Sequence, residues 1–212
     1  MPITKNRLIV YGTVTFIVAL LLCAVLFAIT KTGLIRVPLF SRWYTGPQPT
    51  RNITPTPLSS DQFLRAIQDR FQLAAQNTQP PYAVTVNESE VSGAVQSAVQ
   101  DALRTGGWSR TDVQVVLRSS DMEVTGRFAR GFLRPEFLMR FVPRIDHGGL
   151  VFDPIAAQIG DIPLPASWIT PVLGFLFSRD FGTWTISFGS MHLQGVQLLD
   201  GAMKLTIAPT SP

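Results

Sequence analysis

Cysteine occurs once and histidine twice in 212 residues. The lone thiol, Cys23, excludes an internal disulfide and any cysteine-based zinc site, and His147 and His192 leave little for metal or acid-base chemistry. No Gly-x-Ser-x-Gly elbow is present for a serine hydrolase, and no glycine-rich, phosphate-cradling loop leads into a helix. Ser190 and His192 are two positions apart on a strand-like stretch, where they share a face as ordinary neighbours. Asp146-His147 precedes Gly148-Gly149 and reads as a turn before it reads as a metal pair. These absences point away from an enzyme, with no cofactor and no metal. Charge is scarce too. At 15% charged and 46% hydrophobic residues the chain is neither disordered nor multi-pass, and a net charge of +4 suits anionic head groups as well as nucleic acid.

What is present begins with residues 8–29, which carry no charge and as a helix would reach about 33 Å, the thickness of a bilayer core. A cleaved signal peptide has a shorter apolar region ending at a small-x-small site; none follows here, so the stretch reads as a retained anchor. Leu22 before Cys23 does not fit a lipoprotein signal. Residues 1–7 are then a cytoplasmic amino terminus, 8–30 a single transmembrane helix and 31–58 a Pro-rich juxtamembrane stalk. An α+β domain spans 59–208 and a tail 209–212. Charge alone leaves the orientation open, because Lys5 and Arg7 on one side face Lys31, Arg36 and Arg42 on the other. The short basic amino-terminal flank is that of a signal anchor. Arg36, Phe40, Arg42, Trp43 and Tyr44 mix basic and aromatic groups, as the end of a span usually does. Asn52-Ile53-Thr54 fits a glycosylation sequon, a pattern common by chance.

In the domain, Ser59 or Ser60 caps a helix carrying Phe63, Leu64, Ile67, Phe71 and Ala74 at helical spacing. A short strand over 82–86 leads to Asn87, which with Glu90 forms a capping box for a helix of many small residues that closes at Gly106-Gly107. From Asp112 the period changes from 3.6 to 2. Three strands follow, the third over 133–145 with Phe137, Met139, Phe141 and Ile145 on one face and Arg134, Arg140 and Arg144 on the other. Gly148-Gly149 turns the chain into 150–159. Strands over 183–199 and 202–208 meet at Asp200-Gly201, a strong hairpin signal. The expectation is one curled antiparallel sheet packed on two or three helices.

Ile159-Gly160-Asp161-Ile162-Pro163-Leu164-Pro165 leads into an apolar run over 168–177, in which Thr170 and Pro171 would start a helix. Its apolar residues spread over about 200° of a helical wheel, wider than the roughly 100° that one packing face needs. Cover must come from the chain's own sheet, an apolar ligand or a membrane surface. Together with Val84-Thr85-Val86-Asn87-Glu88-Ser89-Glu90-Val91 and the closing Gly201-Ala202-Met203-Lys204-Leu205-Thr206-Ile207, this stretch resembles the YpmS-like and LmeA-like bacterial membrane-anchored proteins, related to tubular lipid-binding (TULIP-like) domains. The similarity covers roughly residues 82–208, and none of its motifs is catalytic. It implies an extracytoplasmic domain at the cell membrane and a role in lipid binding or envelope maintenance.

Trp168, Ile169, Val172, Leu173, Leu176, Phe137, Met139 and Phe141 are the candidates to line an apolar groove between sheet and helices. Arg134, Arg140 and Arg144 are the candidates to meet head groups, although a solvated outer sheet face is the plainer account of them. The partners expected are the membrane and a phospholipid or other apolar lipid, with no nucleic acid. The alternative is a non-enzymatic structural or interaction module of the envelope that grips an unknown partner protein with the same surface.

Overall fold

The computed structural model describes residues 5–33, 44–77, 79–104, 109–165, 167–168, 185–186 and 192–207. The fold is α+β. Helices α1 (Lys5–Lys31), α2 (Ser60–Asn77) and α3 (Glu88–Arg104) accompany strands that pair antiparallel. Strands β2 (Ser109–Leu117), β3 (Met122–Ala129), β4 (Glu136–Asp146), β5 (Gly149–Ile159) and β6 (Ile162–Leu164) form a meander, with the short β7 (Thr185–Ile186) also paired to β5. A second sheet holds β1 (Tyr82–Asn87), β9 (Ala202–Ile207) and β8 (Leu193–Leu199), in that order. The single curled sheet expected from the sequence is therefore two. Tyr82 to Asn87 pairs along its whole length with the last strand, from Tyr82 opposite Ile207 to Asn87 opposite Ala202, and takes no place in the meander.

Local signals in the sequence become helix ends. Ser59 Oγ accepts from Gln62 N at 3.2 Å while Gln62 Oε1 accepts from Ser59 N at 3.0 Å, a reciprocal box that starts α2. Asn87 and Glu90 do the same for α3, at 2.9 and 3.1 Å. At the other end of β4, His147 and Gly148 both have positive φ, so the Asp146–Gly149 connection is a tight two-residue hairpin and a turn first, as expected.

One apolar cluster joins all of this. Ile67 and Phe71 of α2, Val84 and Val86 of β1, Val91 and Ala94 of α3 meet Val115, Leu117, Val124, Phe141, Leu150 and Leu205. Ser92, fully buried on α3, donates its hydroxyl to Val115 O at 3.1 Å and accepts from Val115 N at 2.8 Å, so small residues let this helix lie close on β2. Opposite Phe137 on the neighbouring strand stands Gly126, where a side chain would overlap the Phe137 ring; that ring stacks on Phe128 with centroids 4.9 Å apart.

The expected stalk is, over residues 44–58, a strap laid on the domain. Thr50 donates from N and Oγ1 to the buried Glu123, at 2.7 and 2.9 Å. Ile53 is buried and its N–H reaches Gln114 Oε1 at 3.2 Å, and Thr56 N–H reaches Ser89 O at 3.0 Å. Arg51 forks onto Glu88, at 3.0 Å from Nε and 2.6 Å from Nη2, and also donates to Asp200 Oδ1 at 2.7 Å and Leu117 O at 2.8 Å. One guanidinium thus ties the strap to α3, β2 and the closing hairpin. Prolines make such a segment extended without deciding whether it is free. Here its backbone N–H groups find partners on β3, β2 and α3.

Candidate functional site

The sheet end where β3 finishes, β4 starts and β5 turns into β6 is where α1 meets the domain. Its last turn closes at Gly33, whose φ of 70° and N–H to Thr30 O bond of 3.0 Å are those of a left-handed helix stop. A second orphan carbonyl, Lys31 O, accepts from Asp161 N–H at 2.8 Å. Gly160 makes this approach possible. Its φ is 57°, and a Cβ there would lie within 3.0 Å of Lys31 O and of Thr32 backbone atoms. Lys31 Nζ adds an ion pair to Asp161 Oδ2 at 2.8 Å, a cation placed at the negative end of its own helix. Thr45 Oγ1 and Gly46 N donate to Asp161 Oδ1 at 3.2 and 3.0 Å.

Electrostatics at this junction follow from the same contacts. Burial opposes ionisation of Asp161, but the Lys31 hydrogen bond and charge, with Thr45 and Gly46, outweigh it and hold the carboxyl below its ordinary value. Gly160 N–H donates to Glu136 O at 2.8 Å, and the Glu136 carboxylate accepts from Tyr44 Oη at 3.0 Å and pairs with Arg127 Nε at 3.3 Å. Burial first, and then the Glu136 charge, push the Tyr44 phenol far up, so it stays a donor. Sequence reading set the Ile159–Pro165 turn apart but not its partners. The glycine followed by an acid was the available signal; Lys31, Tyr44 and Glu136 are brought to it only by folding.

The residues expected to bind lipid are distributed unevenly. Phe137, Met139 and Phe141 are buried in the main core, Phe141 to 1% exposure. Trp168 is 60% exposed. Ile169, Val172, Leu173 and Leu176 lie outside the described residues, as do Thr170, Pro171, Ser190, residues 34–43 and the tail. Among the arginines, Arg134 is exposed in the loop just before β4. Arg140 and Arg118 both donate to Asp121, a carboxylate with 2% of its side chain exposed. Arg144 pairs with Asp153 at 2.6 Å and Asp146 at 3.4 Å. A cavity of about 210 Å³ lies between the strap and β2–β4. Its wall is largely polar, including Gln48, Asn52, Gln96, Asp112, Gln114 and Glu136, with Phe137 and prolines of the strap.

From Phe16 to Ala28 every side chain of α1 is exposed; burial begins at its last turn. Among the described residues no helix is long and apolar enough to cross a membrane, and in α1 the described side chains begin at Phe16. Among the described residues, too, no group of three or more His, Cys, Asp or Glu side chains could hold a metal ion. The fold and junction define an α+β domain with antiparallel sheets, gripping one end of a 27-residue helix. No family model, curated protein or solved structure matches the chain.

Proposed function

We propose that the chain is a single-pass membrane protein whose extracytoplasmic α+β domain binds lipid at the bilayer surface, sheltering an apolar chain between sheet and helices in the service of envelope lipid handling. The observation that carries this reading is α1. Phe16, Ile17, Leu20, Leu21, Val25 and Phe27 are all exposed around it, while the contacts with the domain among the described residues are at its final turn. A helix apolar on every side needs apolar surroundings, and a bilayer supplies them. Residues 8–29 carry no charge, and 27 helical residues reach about 40 Å. Kinship with the YpmS-like and LmeA-like proteins is part of the proposal, as is a cytoplasmic amino terminus.

Within this reading Trp168, Ile169, Val172, Leu173 and Leu176 contact the acyl chain, and Phe137, Met139 and Phe141 form the floor beneath it. The chain acts as a binder, without catalysis. The test is to reconstitute the full chain in nanodiscs with a lipid carrying a photoactivatable acyl chain, and to map the cross-linked peptides by mass spectrometry. Labelling across residues 165–177 is expected; labelling confined to α1 would sink lipid binding by the domain. Leu173→Asp should remove the domain's cross-links and leave its melting unchanged, whereas global unfolding would mark Leu173 as plain core. A second reading, an envelope module that grips a partner protein, draws on exposed Val142 and on Ile155, which stands at the bulge between Arg140–Ala156 and Phe141–Pro154. It takes over if the domain collects no lipid.

A further inference from the structure

We infer that the β3–β4 loop, residues 130–134, is a second membrane contact: Phe132 enters the interface beside the anchor while Arg130 and Arg134 meet anionic lipid head groups. The inference rests on the membrane-spanning reading of α1 and adds to it a site on the domain itself.

The loop is built to present its tip. Arg130 and Leu133 exchange both backbone hydrogen bonds at 3.0 Å, and Phe128 N–H reaches Pro135 O at 3.0 Å, so the two strands are closed almost to the turn. Gly131, with φ of 60°, takes the left-handed position, and no atom lies within 4 Å of where its Cβ would be. Phe132 follows at 73% exposure. A large aromatic side chain held outward on a short, hydrogen-bonded turn fits the boundary between acyl chains and head groups. Among the described residues Arg127, Arg130 and Arg134 outnumber the two carboxylates beside them, Glu136, which Arg127 and Tyr44 engage, and Asp112, opposite Arg127 on β2. An excess of guanidinium beside an aromatic tip complements an anionic bilayer surface.

Position in the fold carries the rest. The loop joins the strand ends that lie at the sheet end holding α1: Glu136 O accepts from Gly160 N–H, and the next residue, Asp161, donates to Lys31 O. Two strand spacings separate β3 from β5 and Phe132 lies four residues beyond Glu136, so the tip of the loop lies on the order of 15 Å from the helix end. The opposite turn, at His147, is eleven residues further along β4, on the order of 35 Å away. Because α1 leaves the domain with its side chains exposed from the penultimate turn back to Phe16, the sheet end it leaves from faces the bilayer. Of the three arginines suggested by the sequence, only Arg134 stands there. Arg140 is committed to Asp121, and Arg144 lies toward the far turn with Asp153 and Asp146.

The test uses the full chain with Cys23→Ser and one new cysteine, Phe132→Cys or His147→Cys, carrying an environment-sensitive fluorophore. Each is reconstituted in phosphatidylcholine vesicles with or without phosphatidylglycerol. The inference expects the label at 132 to shift to shorter wavelength and to be quenched by brominated acyl chains, more strongly with phosphatidylglycerol, while the label at 147 behaves as in water. Adding Arg130→Glu and Arg134→Glu should abolish the dependence on phosphatidylglycerol; unchanged quenching would overturn the head-group contact. An aqueous label at 132 in a chain that resists carbonate extraction overturns the loop contact and leaves the anchor standing. Equal quenching at 132 and 147 also overturns it. Release of the chain by carbonate would instead remove the anchor on which the inference rests. Hydrogen exchange on the unlabelled chain gives an independent reading, with slower exchange at residues 131–133 in vesicles expected and identical exchange in vesicles and detergent contradicting it.

Discussion

Gly160→Ala is the sharpest perturbation of the contact between helix and domain. Alanine at a φ of 57° costs about 1–2 kcal/mol relative to glycine. Its Cβ would also fall within 3.0 Å of Lys31 O and Thr32 backbone, neither of which is a flexible side-chain end. Overpacking of this kind costs about 1–3 kcal/mol more unless the parts separate. Separation forfeits the Asp161 N–H to Lys31 O bond and the Lys31–Asp161 ion pair, both 2.8 Å, and a hydrogen bond to a charged group is worth about 1.5–3 kcal/mol. The two quantities are of one size, so the substitution brings closed and open junctions into competition. Even 2 kcal/mol lowers the closed-to-open ratio about thirtyfold. The native Cys23 offers a spin-label site on α1, and His147→Cys offers one on the far turn of the sheet. Electron–electron distance measurement in nanodiscs should give a narrow distribution for the parent and a broad one for Gly160→Ala. Domain melting should change little, since Gly160 is outside the core cluster. A distribution as narrow in the variant as in the parent would refute the reasoning.

Three further outcomes are expected. Burial opposes ionisation of Asp121, but hydrogen bonds from Arg140, Arg118 and Ser120 hold its carboxyl below the ordinary value of 3.8; the stabilisation is complete above that value and is lost as pH falls through the lower, folded one. Melting temperature should therefore fall as pH drops below about 4, less steeply in Asp121→Asn, and equal slopes would show that another group controls the decline. Gly93→Ala would drive a Cβ to within 3.0 Å of Thr56 O and lift the strap, a loss of about 1–3 kcal/mol read as faster hydrogen exchange at Thr56 N–H; undisturbed protection there would contradict the packing described. Phe71→Ala, at a side chain 2% exposed where α2 enters the core, should cost about 3–5 kcal/mol in chemical denaturation, and a loss under 1 kcal/mol would mean that α2 does not share the core.

Much of the local structure is legible along the chain because its causes are local. Asn87 and Glu90 are three residues apart, so the capping box can be read without knowing the fold, and Asp200-Gly201 announces its own hairpin. The alternation of Phe137, Met139 and Phe141 with arginines marks a strand with one buried face. The strap is different in kind. Five prolines over residues 34–58 specify extended backbone, but Glu123, Gln114 and Ser89, which hold residues 50–56, come from distant parts of the chain. The same holds for the arginines. Composition counts Arg134, Arg140 and Arg144 alike, and only the fold puts Arg140 on a buried carboxylate and leaves Arg134 at the sheet end that meets α1.

Taken alone, the order of residues determined periodicities, caps, tight turns and one long uncharged segment, since each depends on neighbours within a few positions and on the transfer of side chains out of water. Only the tertiary structure decided that β1 pairs with the last strand rather than the meander, that Asp161 closes the end of α1, and that Phe132 stands at the same end of the sheet. The first two of these outcomes join residues 115 to 130 positions apart. Pairing at such range is selected by the packing of the whole chain, to which no local pattern has access.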